Sequence, residues 1–300
     1  MMIRKAKLIA KQDPLISVCI TTYNSEKYIY KALYSVIHQT YSNLEIIIVD
    51  NYSTDKTLEI INSLKDPRVK VLKKRNFGSI AASRNHGIIH STAEWIAFLD
   101  SDDYWEIDKI KKCSKYLRYD LIYHKMNIIK DHDDEPCGVI NSKNLRKPVF
   151  KNLLIRGNTI ATSSVLVRKD LLKKIGYMNE NLLLAGTEDY NTWLKISRLT
   201  EKFKMINKKL GSYRIHSNNF SNQNRSQPPW DAIKEFQLVI NPQISKLIEL
   251  NYAYAVIRLK YLRDRKSVTN SELFKLLLNM KGPNKFKILF MILTKRKFLF

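Results

Sequence analysis

The chain has 300 residues, enough for one large domain or a domain with an appendage, and its 44% apolar and 10% aromatic content supports a real core. Eight Gly and eight Pro exclude a low-complexity chain. With 52 Lys+Arg against 28 Asp+Glu, the formal charge of +24 implies an anionic partner.

The predicted elements alternate through the first hundred residues. Leu15 to Thr21 is rich in β-branched residues and reads as a buried strand. Tyr23-Asn24-Ser25 turns the chain, with Asn24 or Ser25 as the N-cap of a helix marked by Ile29, Leu33, Val36 and Ile37. Leu44 to Val49 is a second buried strand ending at Asp50. Ser53-Thr54-Asp55 opens a helix with Leu58, Ile61 and Leu64 on one face. Val69 to Leu72 is a short strand, Ile80 to His90 a helix, and Trp95 to Leu99 another strand. This alternation predicts a parallel sheet with right-handed crossovers. Farther on, Asp131 to Pro148 reads as a loop or hairpin and Thr159 to Arg168 as a strand. Thr187-Glu188-Asp189 precedes a helix carrying Tyr190, Trp193, Leu194 and Ser197. From about Trp230 the pattern is helical and basic.

Three carboxylates, Asp100, Asp102 and Asp103, follow the Trp95–Leu99 strand within four positions. Like charges this close repel and resist burial. A hard divalent cation with oxygen ligands relieves them. Ligands of open α/β sheets bind just beyond the carboxyl ends of strands, so a cation here could hold a diphosphate.

Five segments stand in one order. They are Ser17 to Asn24, Val49 to Asp55, Asn76-Phe77-Gly78 with Ala82-Ser83-Arg84-Asn85-His86-Gly87, Phe98 to Asp103, and Glu188-Asp189. Over about residues 14–220 this order resembles the inverting glycosyltransferases of family 2. The resemblance implies an α/β GT-A fold: a Rossmann-like, mostly parallel twisted sheet flanked by helices, with a C-terminal helical extension. It divides the chain into a basic segment 1–13, a catalytic domain 14–225 (donor half 14–110, acceptor half 111–225) and a basic extension 226–300.

The resemblance also implies roles. Thr21 and Tyr23 would line the base pocket, with Asp50 and Asn51 beside them; alone, Tyr23 reads equally as an edge aromatic. Relatives carry a second acid where this chain has Asn51, whose amide oxygen can still accept a base N–H, without charge assistance. UDP is the expected nucleotide, with dTDP and GDP left open. Asn76 and Arg84 would meet the base and phosphates, a structural ion pair being the alternative for Arg84. Asp102 would bind ribose, Asp100 would orient its neighbours, and Asp103, with Asp102 and His216, would hold Mn²⁺ or Mg²⁺. Asp189 is the expected base and Glu188 its support, unless both simply complement a helix N-terminus.

The implied function is metal-dependent inverting transfer of a hexosyl or N-acetylhexosaminyl unit from a nucleotide-sugar donor to a glycan or lipid-linked glycan acceptor. Such transfer serves cell-surface polysaccharide or protein-glycan synthesis; the alternative is a non-catalytic sugar-nucleotide or glycan-binding module of the same fold. No nucleic-acid-binding signature occurs, so nucleic acid is not an expected partner. Thr21-Thr22-Tyr23-Asn24 has no Gly, against the phosphate loop of a nucleotidyltransferase. Cys19, Cys113 and Cys137 fit neither a disulfide framework nor a zinc site, which suggests a reducing compartment. No apolar run reaches the roughly 18–20 residues a membrane span needs. The lysine-flanked apolar stretches Phe274 to Met280 and Phe286 to Leu293 predict peripheral attachment to an acidic membrane surface. They read alternatively as a helical cap on the domain. The expected location is the cytoplasmic face of the inner membrane.

Overall fold

A computed structural model describes residues 13–131, 133–140, 142–216, 230–263 and 268–279. The basic amino-terminal segment before residue 13 and the stretch Phe286 to Leu293 lie outside the described residues.

The first half follows the predicted alternation. β1 (Ile16–Thr22), β2 (Leu44–Asp50), β3 (Val69–Lys73) and β4 (Trp95–Asp100) run parallel in the order β3-β2-β1-β4. α1 (Ile29–Ile37), α2 (Thr57–Ser63) and α3 (Ile80–His90) form the crossovers. The strands are nearly continuous in apolar residues because both faces are covered. Val18 and Ile20 pack in one core with Ile29, Leu33 and Val36 of α1, while Cys19 lies in the other with Ala81 and Ile88 of α3. Gly87 permits α3 to approach that closely: a methyl there would overlap Cys19 Sγ and sit 3.3 Å from Val49 Cγ2.

Register decides where the site forms. Thr21 pairs with Asp100 and Thr22 with Asp50, so the strands end at one level.

The second half is mixed. β5 (Tyr104–Trp105), β6 (Leu121–Lys130), β7 (Asp133–Val139), β8 (Leu166–Arg168) and β9 (Phe203–Ile215) complete nine strands among the described residues. β8 lies antiparallel to β4 and β6, and β9 runs parallel to β6 and antiparallel to β5. The segment after Asp131 is the hairpin β6–β7. α4 (Lys109–Ser114), α5 (Val149–Arg156), α6 (Lys169–Lys174) and α7 (Glu188–Ser197) cover the sheet, Tyr190 and Trp193 of α7 being buried in the core shared with Phe98.

Three local expectations are corrected. Neither Asn24 nor Ser25 caps α1 with its side chain; the Ser25 carbonyl accepts the Tyr28 and Ile29 N–H groups instead. The second helix starts at Thr57, whose N–H donates to Asp55 Oδ1 at 3.0 Å. The predicted Thr159–Arg168 strand is paired as a strand only over Leu166–Arg168. Before it, Thr162–Ser164 forms a 3₁₀ turn, whose Thr162 and Ser163 side chains hydrogen-bond Asp189 and the Asp100 N–H and whose Ser164 hydroxyl donates to the Ala161 carbonyl.

The extension begins with α8 (Trp230–Ile233), a 3₁₀ segment Lys234–Val239, α9 (Pro242–Arg263) and α10 (Asn270–Asn279). Ala232, Ile233, Phe236 and Ile248 join the core around Trp193. Asn191 donates to the Ala232 carbonyl at 2.8 Å and Asn251 to that of Ile155 at 3.1 Å. Within the predicted apolar stretch from Phe274, Leu276 packs against Tyr254 and Tyr261 of α9, whereas Phe274 and Leu278 are exposed. Among the described residues no helix is long and apolar enough to cross a membrane.

Candidate active site

The loops leaving β1, β2 and β4 are laced to one another. Asn24, with φ of +45°, accepts the Thr54 N–H on Oδ1 at 2.8 Å, and its own N–H donates to Ser53 Oγ at 2.9 Å. The Ser25 and Ser101 hydroxyls meet at 2.8 Å, tying the first loop to the acidic one. The potential cap residues are thus spent on joining loops rather than on starting a helix.

At the expected base pocket, Tyr23 is exposed, and Thr21 Oγ1 is buried without a hydrogen-bond partner. Asp50 is buried and accepts both the N–H and the hydroxyl of Ser53, which closes the turn after β2. Asn51 Oδ1, the expected acceptor for a base N–H, accepts the Asn76 N–H at 3.0 Å, so one of its lone pairs is spent. Asn76 in turn accepts the Gly78 N–H and donates to Ser83 Oγ, both at 3.0 Å.

Arg84, expected either at the phosphates or in a structural ion pair, is paired on both arms of its guanidinium. It is 4% exposed. Nη2 donates to Asp100 Oδ1 at 2.7 Å and Nη1 to Glu188 Oε1 at 2.6 Å. Burial works against its charge, but Asp100 and Glu188 outweigh that and hold its pKa above the ordinary guanidinium value. Its fork therefore ties the acidic loop to the start of α7.

The acids divide in role. Asp100 has its pKa raised by burial, with Arg84 pulling the other way. Asp103 accepts the Arg214 N–H on Oδ1 at 3.0 Å, and its Oδ2 is buried without a donor in hydrogen-bond geometry. Burial, then Asp102 and Asp100, hold Asp103 well above the ordinary carboxylate range. Asp102 Oδ2 lies 2.8 Å from His216 Nε2, and His216 stacks on Tyr28 with ring centres 4.9 Å apart. Asp102, Asp103, Tyr28 and Arg214 line a cleft of about 210 Å³.

Among the described residues no three metal-ligating side chains are already gathered round one point. The donor set nonetheless fits a hard divalent cation. Asp103 offers a buried oxygen without a donor in hydrogen-bond geometry, and Asp102, which lines the same cleft, lies 2.8 Å from His216. Cations such as Mg²⁺ commonly take only one or two protein carboxylates, completing their shell with water and phosphate oxygens.

Asp189 opens α7. Its Oδ2 accepts Asn158 Nδ2 and Thr162 Oγ1, each at 2.9 Å, and its Oδ1 accepts the Tyr190 N–H at 2.6 Å. Burial, then the Glu188 charge, push its pKa up to about 6, against Arg84, Asn158 and Thr162. A carboxylate so placed is ionised at neutral pH yet basic enough to accept a proton.

Asn158, Thr162, Ser163 and Tyr28 were not singled out from sequence. Ser163 Oγ accepts the Asp100 N–H at 3.1 Å and its carbonyl accepts Trp105 Nε1 at 2.7 Å. The polar run Thr162-Ser163-Ser164 inside an apolar stretch was the available signal.

Comparison with known proteins agrees with this geometry. Residues 17–176 match the model of glycosyl transferase family 2. The Escherichia coli UDP-Glc:alpha-D-GlcNAc-diphosphoundecaprenol beta-1,3-glucosyltransferase WfaP is 30% identical, covering 82% of this chain and 92% of that protein. WfgD of the same species, described in the same words, is 28% identical over 85% of this chain and 98% of its own length. Among solved structures, S. aureus TarS 1-349 in complex with UDP-GlcNAc superposes with a TM-score of 0.61 at 20% identity, covering 88% of this chain and 79% of that one. The mannosyltransferase PcManGT from Pyrobaculum calidifontis, in complex with GDP-Man and Mn²⁺, gives 0.60 at 16% identity, covering 96% and 83%. The strand order, the acidic loop at the end of β4 and the match over residues 17–176 lead to one conclusion: the chain belongs to glycosyl transferase family 2 and is a glycosyltransferase of the GT-A fold.

Proposed function

We propose that this glycosyltransferase moves a sugar from a nucleotide diphosphate to a hydroxyl of a lipid-linked glycan in bacterial surface-glycan synthesis, with inversion at the anomeric carbon. The observation that carries the reading is the Asp189 carboxylate. Its pKa is raised to about 6, and two side-chain donors aim it. Through Glu188 and Arg84 its helix is tied to the acids where a donor diphosphate would lie.

In this reading Asp189 removes the proton of the acceptor hydroxyl. The freed oxygen attacks the anomeric carbon as the bond to the diphosphate oxygen breaks, and the electron pair leaves with the nucleotide diphosphate. One displacement inverts the centre, without the covalent intermediate of retaining two-carboxylate glycosidases. Asp103, Asp102 and His216 would hold Mn²⁺ or Mg²⁺, which when bound offsets charge on the departing diphosphate. Asn51, Asn76 and Thr21 face the base and sugar of the nucleotide, with UDP first among the candidates. WfaP and WfgD are described as acting on an undecaprenol-linked diphosphate, which favours a lipid-linked acceptor and a peripheral place at the cytoplasmic membrane face.

A panel of nucleotide sugars tests this, with nucleotide release read with and without Mn²⁺ in wild type and Asp103→Ala. Release from one donor, stimulated by Mn²⁺ and lost in the variant, is expected. Absence of calorimetric binding by UDP, dTDP and GDP alike would overturn the reading.

A further inference from the structure

The loop after β3 and the turn before Glu188 carry an apolar strip that no step proposed above uses. Leu182–Leu184 forms a 3₁₀ turn four residues before Glu188, braced by Asn181 Oδ1, which accepts the Leu183 N–H at 2.9 Å. Leu184 is buried, but Leu182 and Leu183 point outward at 56% and 65% exposure. Leu182 lies against Gly78, whose neighbour Phe77 is 83% exposed in a left-handed conformation with φ of +49°. The strip continues through Arg75, whose guanidinium sits 4.8 Å over the half-exposed Tyr52 ring. Large apolar side chains held outward together mark an interaction surface.

Charge indicates what the strip meets. From Pro67 to Ala93 the sequence contains no Asp or Glu, while Lys70, Lys73, Lys74 and Arg75 lead directly into Phe77. Glu180, the acid near the leucine turn, is engaged by Asn85 Nδ2 at 2.8 Å. A cationic margin beside outward Phe and Leu is the chemistry of a surface that inserts shallowly among anionic lipid headgroups. The leucine turn ends four residues before the helix that carries Asp189, so a bilayer seated on it would lie close in the chain to the proposed base.

We propose that the strip formed by Phe77, Leu182 and Leu183, with Lys73, Lys74 and Arg75, docks the protein on an anionic bilayer. The proposal rests on the lipid-linked-acceptor reading above, but its test does not need turnover. The full chain is floated with vesicles of phosphatidylethanolamine containing about one-third phosphatidylglycerol, and separately with pure phosphatidylcholine vesicles. Phe77→Ser/Leu182→Ser/Leu183→Ser should lower partition to the anionic vesicles about tenfold or more, as should replacing those vesicles by the neutral ones. Leu199→Ser/Leu247→Ser removes exposed leucines elsewhere and should leave partition unchanged, as should Asp189→Asn. Hydrogen exchange of amides 77–78 and 182–186 should slow when anionic vesicles are added. Equal partition of wild type and the triple variant, equal loss in the control pair, or equal binding to neutral vesicles would each overturn the proposal. Failure of the donor panel with flotation intact would instead remove the transfer chemistry and leave the docking surface standing.

Discussion

Arg84 and Glu188 stand 104 positions apart in the chain and meet in a buried ion pair at 2.6 Å, while the other arm of the same guanidinium holds Asp100. The donor-side acids and the helix of the candidate base are thereby set by one side chain. Arg84→Met leaves the buried Glu188 and the partly buried Asp100 carboxylates without their cation, which costs about 3–5 kcal/mol. Lys offers a single ammonium and cannot repeat the two-armed geometry. Urea unfolding at neutral pH should therefore rank wild type above Arg84→Lys and Arg84→Met lowest. Adding Glu188→Gln to Arg84→Met should recover part of the loss by removing one orphaned charge. Strict additivity of the two substitutions would mean the pair is not coupled.

Asp189 makes a pH prediction whose sign is fixed by its role. As the proposed base Asp189 acts ionised, and its pKa is raised to about 6, so kcat/KM should fall as pH drops through that value. The Asn158 and Thr162 bonds favour the charged form. Removing one by Asn158→Ala should move the acid limb to higher pH. Asp189→Asn should cost about 10²–10⁴-fold in turnover, the usual worth of a general base, while nucleotide affinity by calorimetry stays near wild type. Near-normal turnover of Asp189→Asn would sink the assignment.

Gly87 sits inside α3, where alanine is the better helix former by up to about 1 kcal/mol. Here the balance reverses, because the added methyl would meet Cys19 Sγ and Val49 Cγ2 on the sheet. Overpacking costs about 1–3 kcal/mol, so Gly87→Ala should lower the melting temperature. Because α3 also carries Arg84, turnover should fall with it. A variant as stable as wild type would show that α3 can slide outward without loss.

The part of this architecture that could be read from sequence is the part built by local pattern. Strands such as Leu44 to Val49 are nearly continuous in apolar residues because helices cover both faces, and their ends carry the polar residues of the site. β9 escaped notice because its middle, Asn207 to Lys209, is polar and exposed, which hides the period of two. The roles of Arg84, Asn158 and Thr162 could not be read locally. Their partners are 16 to 104 residues away, and for all but Asp100 only the packing of the second half brings them together. Asn24 and Ser25 misled for the opposite reason: cap-forming residue types were recruited to bind neighbouring loops.

Asn51 offers a gain-of-affinity test of the base pocket. Its Oδ1 already accepts the Asn76 N–H, and the rest of its side chain is an uncharged amide. A carboxylate of the same shape keeps the bond to Asn76 and presents a second, charged oxygen. Hydrogen bonds to charged acceptors are roughly twice as strong as neutral ones. Asn51→Asp should therefore tighten binding of nucleotides whose base edge donates an imino N–H, namely UDP, dTDP and GDP, by about five- to tenfold in calorimetry, near 1 kcal/mol. ADP carries an acceptor, N1, where those bases carry the imino N–H, so it should gain less than they do. Equal gains for ADP and UDP would show that the carboxylate acts by rearranging the Asn76–Gly78 turn rather than by reading the base.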